Sequence, residues 1–339
     1  LPNLILQSSI IILGLCIELY LLLTLKNIKT HLFYITFAIL CILNYFLFKN
    51  IGTFQLTTLL FVSFPIGIYL STHLFNRKLV ATYSILLASF VIARTVIHYG
   101  EYQFFPNMSR NYISIFLLLC LFLWQISKSS SVPVLPSLIV FMGSILAIGR
   151  GGILMSGFLL VSYTMLKLNR MGPTKKILSL LALGFLIYFI SQNIEVINLT
   201  LFNRFVASDA SIVNSNSERL LIIYTYFRFL SSSIKYFVFG VPMRFIYGLG
   251  VAHTHNTFLQ IHSLMGLFPF SLIVIQLIRR IVAFSTSKNY TMLILLSGII
   301  LRGMTDIFFP GELFDVLIIY FLFTGWEQNS LEIIKNKEA

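Results

Sequence analysis

Charge is scarce in this chain of 339 residues: 10% are Asp, Glu, Lys or Arg, whereas soluble domains carry about 25%. That scarcity, with 58% hydrophobic residues and a mean hydropathy of +0.90, excludes an ordinary soluble domain. Cysteine is scarce too. Cys16, Cys41 and Cys120 all fall inside apolar segments, so neither a disulfide framework nor a cysteine metal cluster is expected. Sustained alternation of polar and apolar residues is missing, which argues against a transmembrane β-barrel. Acidic residues number 11 against 24 Lys and Arg, a net charge of +13. In a soluble chain that excess would point to nucleic acid. Here topology-setting lysines account for most of it, and no nucleic-acid partner is expected.

What the chain does have is long apolar runs. They predict an all-α, polytopic membrane helix bundle, one domain over 1–339. About eleven spans are expected, near 4–25, 31–48, 53–74, 79–98, 111–127, 132–149, 151–167, 177–194, 258–278, 289–303 and 311–326. No separate signal peptide is visible, because the first apolar segment is long enough to remain as a span. The chain opens with Leu1 rather than Met, which leaves room for an N-terminal piece before it. Gly14, Gly67, Gly143, Gly157, Gly184, Gly298 and Gly303 read as sites of close helix packing.

Basic residues set the sidedness. The loops 26–30, 75–78, 128–131, 168–176 and 279–288 and the tail 327–339 alternate so as to share one face. With Lys167 they hold ten Lys and four Arg of the 24 basic residues. By the positive-inside rule that face is cytoplasmic, placing the C-terminus inside and the segment 195–257 outside. The remaining positions are dominated by arginine: Arg94, Arg110, Arg150, Arg204, Arg219, Arg228, Arg244 and Arg302, with Lys49 and Lys235. Topology requires positive charge but not arginine. A planar fork of donors is suited to phosphate oxygens and carboxylates. Arg94, Arg150 and Arg302 are the most informative, since each lies in or beside an apolar run where an unpaired charge is costly.

Within the outer segment, 195–219 reads as a polar loop, with Ser217–Glu218 as a helix start. Residues 220–240 read as an amphipathic helix at the outer interface, with a re-entrant helix as the alternative. His253, His255 and Asn256 then stand at the mouth of the next span. His255 is the sharper candidate for chemistry, while His262 fits a buried neutral imidazole. A zinc site built from His253, His255 and His262 is disfavoured, because the spacing is irregular and no secure third ligand accompanies them. In 304–315, Asp306 and Glu312 are candidates to pair with Arg302 or to bind sugar hydroxyls, and pairing is the default for both and for Asp315.

Two motifs resemble the O-antigen ligase and polymerase superfamily of bacterial envelope enzymes. One is Gly149-Arg150-Gly151-Gly152, where the family commonly has Ser-Arg-Gly-Gly. The other is a large outer loop with Ser217-Glu218-Arg219, a Gly-rich approach, and His255-Asn256-Thr257-Phe258-Leu259-Gln260 followed by Gly266. The resemblance covers 149–275, and the chain departs from it at Gly149, at the extra His253 and at Phe268-Pro269. It implies a metal-independent, cofactor-free inverting glycosyltransferase. Arg150 and Arg219 would meet the donor pyrophosphate and His255 would orient or deprotonate the acceptor hydroxyl. The wider set expected to bind substrate is Arg94, Arg228, Arg244, Arg302, His253 and Asn256.

The leading functional expectation is a polymerase of undecaprenyl-pyrophosphate-linked repeat units of O-antigen or capsular polysaccharide, multi-pass in the bacterial cytoplasmic (inner) membrane. The alternatives are an O-antigen ligase that uses a lipid A–core acceptor and a flippase or other transporter of lipid-linked oligosaccharide. Implied partners are the lipid-linked oligosaccharides, membrane lipid, a chain-length regulator and a flippase.

Overall fold

The computed structural model describes residues 12, 14–17, 19–21, 28–48, 50–72, 76–97, 103–105, 108–109, 111–128, 131–147, 150–172, 209–247, 254–310 and 314–324. The expected span 177–194, most of 4–25, His253, Glu312 and the C-terminal tail lie outside them. The described chain is overwhelmingly helical. In order come α1 (Ile28–Phe48), α2 (Thr53–Thr58) running through a π-helical turn (Leu59–Ser63) into α3 (Phe64–Thr72), and α4 (Arg77–Ile97). A two-stranded hairpin follows, β1 (Gln103–Phe105) and β2 (Met108–Ser109), then α5 (Asn111–Ser127), α6 (Val134–Leu146) and α7 (Arg150–Asn169). The second half holds α8 (Asp209–Ser232), α9 (Ile234–Phe239), α10 (Arg244–Tyr247), α11 (Thr257–Met265), α12 (Leu267–Thr286), α13 (Tyr290–Thr305) and α14 (Asp315–Phe323).

Five helical stretches are long and apolar enough to cross a membrane: Ile28–Phe48, Thr53–Ser71, Arg77–Ile97, Gly151–Asn169 and Leu267–Thr286. α5, α6 and α13 are shorter apolar helices. The distribution of side chains fits lipid as the solvent. Outward faces carry large apolar residues, such as Ile28, Leu32, Phe46 and Leu47 on α1 and Leu79, Leu86 and Ile97 on α4. Small and polar residues turn inward and bond across helices. Ser84 donates to the Cys120 carbonyl at 2.8 Å, Tyr34 to Leu60 at 2.9 Å, Asn44 to Leu264 at 3.2 Å and Tyr163 to Thr291 at 3.2 Å. Lipid tails supply no hydrophobic drive for helix association, so such bonds and close packing hold the bundle together. Among the glycines read as packing sites, Gly143 faces Leu117 of α5 and Gly298 faces Leu159 of α7, too close in each case for a Cβ. This is a helical, membrane-embedded protein.

α14 is the centre. Every residue from Asp315 to Phe323 is buried, and the helix is apolar on nearly all sides, as a core helix must be. Phe314, just before it, meets Phe116 of α5, while Tyr320 meets Phe122 of α5 and Phe323 meets Phe33 of α1, all edge to face.

Several sequence expectations are corrected. The stretch 209–219 is not a loop but the first turns of α8, although Asn214, Ser215, Asn216 and Ser217 are weak helix formers. The 220–240 helix is present but breaks at Ser233, whose side chain caps α9 by accepting from the Lys235 N–H at 3.2 Å. The expected continuous span 258–278 is two helices. Gly266 ends α11 at φ 81°, and a Cβ there would stand 2.8 Å from the Val238 carbonyl oxygen. α12 then continues to Thr286 through much of the expected loop 279–288.

The two ends of the bundle differ. Arg77 and Lys78 open α4, Lys128 follows α5, Lys167 and Arg170 close α7, and Arg279, Arg280 and Lys288 lie at the end of α12. All belong to the end opposite the hairpin. The hairpin end gathers the C-terminus of α4, the N-termini of α5, α7 and α11, and the C-terminus of α13.

Candidate functional site at the hairpin end

The site grows from the packing of three helix ends. α7 begins at Arg150, and Gly151 lies against the last turn of α13: a Cβ on Gly151 would sit 2.6 Å from Thr305 Oγ1 and 3.0 Å from Arg302 Nη1. Gly152 is pressed equally hard on Ser114 of α5. The last two glycines of the Gly-Arg-Gly-Gly motif therefore have a steric reason. They let the first turn of α7 wedge between α5 and α13, which brings Gly151 against the guanidinium of Arg302. Gly151→Ala is expected to destabilise the protein by about 1–3 kcal/mol through this overpacking. Gly172→Ala, where nothing lies within 4 Å, serves as the matched control for thermal unfolding in detergent.

Arg302 is 1% exposed, and its charge is met inside the protein. Nη2 donates to Asp306 Oδ2 at 2.9 Å and to the Asn111 carbonyl at 3.0 Å, and Nη1 donates to Thr305 Oγ1 at 3.2 Å. The pairing with Asp306 expected from sequence is thus present. Those bonds tie the end of α13 to the start of α5 and fix Asp306, whose Oδ1 accepts from the Ile307 N–H at 2.9 Å. Arg302 is accordingly placed as a positioning residue.

The start of α11 latches onto the same turn. Asn256 is its N-cap, and its side-chain oxygen accepts from the N–H groups of Phe258 and Leu259 at 2.9 and 3.1 Å. The Asn256 amide also donates to the Met304 carbonyl at 3.2 Å. Thr257 Oγ1 donates to the Asp306 carbonyl at 2.8 Å and accepts from the Phe308 N–H at 3.2 Å. Thr254 bonds to the Asn256 carbonyl at 2.8 Å and lies 3.1 Å from Gln260 Oε1. Each polar residue of the run Asn256-Thr257-Phe258-Leu259-Gln260 thus secures the turn that carries His255. His255 itself is half-buried and adopts φ 51°, a left-handed conformation uncommon for any residue but Gly and taken otherwise mainly by Asn, Asp and His. Such strain persists where the surroundings over-determine it, and it concentrates at functional sites.

The other candidates separate. Arg94 is half-buried in the last turn of α4, at the same end. Arg219 is half-buried on α8, two turns before Tyr226 and therefore on the same face. That face meets α11: the Tyr226 hydroxyl bonds His262 Nδ1, and His262 Nε2 donates to the Phe237 carbonyl at 2.8 Å. His262 is buried, as its position implied, with both ring nitrogens engaged. Arg228 is exposed on α8. Arg244 is exposed on α10 and faces a different cavity. The sequence reading passed over the Tyr226–His262–Phe237 chain, which links α8, α9 and α11; three polar or aromatic partners separated by 25 to 36 positions leave no periodic trace.

Comparison with protein-family models, with curated proteins and with solved structures returns no match for this chain.

Proposed function

We propose that the protein is a membrane glycosyltransferase that polymerises undecaprenyl-pyrophosphate-linked oligosaccharide repeat units at the outer face of a bacterial cytoplasmic membrane. The observation that carries the reading is the convergence of Arg150, His255, Asn256 and Arg302, scattered over about 150 positions, on one end of the bundle through the α7–α13–α11 contacts. The basic residues at the opposite end support the orientation, with that end cytoplasmic and the hairpin end outside. In this reading the eleven-span topology holds, the C-terminus is inside, and 195–257 forms the outer loop.

The chemistry needs little beyond these groups. The acceptor hydroxyl oxygen forms the new bond to the anomeric carbon as the bond to the pyrophosphate oxygen breaks and its electron pair leaves with the phosphate. The anomeric configuration inverts. The hydroxyl proton passes to the imidazole of His255, whose unperturbed pKa of about 6.5 suits a base near neutrality. Arg150, at the N-terminus of α7 where backbone N–H groups and the helix dipole favour an anion, meets the leaving pyrophosphate, and the family resemblance alone assigns Arg219 to the same group. Arg302 holds the frame and adds no free charge.

Two experiments test the reading. Purified protein supplied with a lipid-linked repeat unit is expected to form multimers; failure across several lipid compositions would remove the polymerase. In the native host, deletion is expected to leave single repeat units and no ladder. Long chains on undecaprenyl pyrophosphate would instead make the protein a ligase, and a normal ladder in the deletion would sink both enzyme readings.

A further inference from the structure

A second basic site lies at the other end of α11. There a cavity of about 480 Å³ opens between the last turn of α1 and the turn that joins α9 to α10. It is lined by Phe48, Asn50, Lys235, Gly240, Met243 and Arg244 among others. Its volume falls within the roughly 300–1,000 Å³ of small-molecule pockets. Among the described residues two cations line it and no carboxylate does. Neither Lys235 nor Arg244 has an acidic partner among the described residues.

The floor is fixed. The Asn50 amide donates to the Phe239 carbonyl at 3.1 Å, tying the end of α1 to the end of α9. Gly240 abuts the carbonyls of His262 and Ser263 on α11, and the Ser263 hydroxyl bonds the Val241 carbonyl. Aromatic rings hold both cations. Lys235 Nζ sits 5.1 Å from the Phe48 ring centre, and Phe48 stacks on Phe239 at 4.1 Å. The Arg244 guanidinium sits 5.3 Å from the Phe245 ring centre, and Phe245 stacks on Phe229 at 4.2 Å. Cation–π contact orients a cation without consuming its N–H donors, which stay available to a ligand.

The wall that α1 supplies says what kind of molecule carries the anion. Next to Phe48, its outward residues Leu43, Phe46 and Leu47 are 51, 71 and 63% exposed, a strip of hydrocarbon leading from the cavity along a membrane-length helix. We propose that this cavity binds the phosphate of an anionic amphiphile, with Lys235 and Arg244 on the phosphate oxygens, the Asn50 side chain beside them and the acyl chains along α1. The site is separate from the His255 turn. Asn256 and Ser263 are seven residues apart on α11, roughly 10 Å along its axis. It does not depend on glycosyl transfer.

The test uses the full-length protein purified in a non-ionic detergent, with dihexanoyl phosphatidic acid, dihexanoylglycerol and inorganic phosphate as probes. The phosphatidic acid is expected to bind and the phosphate-free diacylglycerol not to. Lys235→Gln/Arg244→Gln is expected to lose about tenfold or more in affinity for each cation removed. A readout on the unaltered protein covers the case in which that variant fails to fold. Acetylation of Lys235 by an amine-reactive ester, followed by mass spectrometry, is expected to slow when the phosphatidic acid is present, while acetylation of exposed Lys128 is unchanged. Equal binding of the phosphate-free lipid, or no protection of Lys235, would overturn the proposal. Protection by inorganic phosphate at matching concentration would make it a site for free phosphate and overturn the amphiphile.

Discussion

His255→Ala is expected to abolish the polysaccharide ladder in the native host, leaving single lipid-linked repeats while the protein inserts at normal abundance. The loss in rate for purified protein is expected to be about 10²–10⁴-fold, the range for removing a positioned general base. Alanine alone does not separate the imidazole from the backbone, because φ 51° is unfavourable for Ala in its own right. Glycine and asparagine do separate them. Both accept the left-handed conformation, so His255→Gly and His255→Asn are expected to unfold within about 1 kcal/mol of wild type. If the imidazole does the chemistry, both are as inactive as alanine. Near-normal activity in either would mean that the turn, and not the ring, is what the reaction uses.

Arg302→Ala has the largest expected effect on stability. It leaves Asp306 without its partner in a site where the arginine side chain is 2% exposed and the aspartate 13%. Breaking a buried pair from one side costs about 3–5 kcal/mol, because the remaining charge is stranded. The damage reaches the candidate site through a short chain of bonds: Asp306 holds Thr257 by its carbonyl, and Thr257 helps secure the turn of His255. Arg302→Lys is expected to recover only part of the loss, since an ammonium cannot reproduce the fork that reaches Asp306, Asn111 and Thr305 together. Removing both charges with Arg302→Met/Asp306→Asn is expected to cost less than Arg302→Ala. Unfolding of wild type and the three variants in detergent gives the ranking. An Arg302→Ala variant as stable as wild type would mean that the pair does not support the site.

The positions of most helices were legible in the sequence because a lipid-facing helix must be apolar over its whole length, and a run of that kind shows without any knowledge of its neighbours. α1, α4, α5 and α7 start and stop within a few residues of the expected spans. The break at Gly266 was also written there. Pro269 occupies the first turn of α12, where its missing N–H costs nothing, and marks a new helix start three residues after a glycine. It was passed over because the hydrophobicity runs straight through the break. The start of α8 was hidden for the opposite reason: Asn and Ser dominate a stretch that the fold makes helical against weak propensity.

For the candidate site the division is sharper. Sequence alone singled out Arg94, Arg150 and Arg302 as costly charges in or beside apolar runs, and His255 and Asn256 at the mouth of a span. It also named Asp306 and Glu312 as partners for Arg302, and the structure pairs Asp306. Tertiary structure decided what each does next. It spends Arg302 on internal partners, gives Gly151 its role as the gap that admits Arg302, and sends Arg244 to a separate cavity with Lys235. Those outcomes depend on which helix ends meet. Hydrophobicity, the strongest signal in this chain, fixes that a helix lies in lipid and is the same for every neighbour it could have; the choice among neighbours rests on glycine contacts, caps and single hydrogen bonds between residues far apart in the chain.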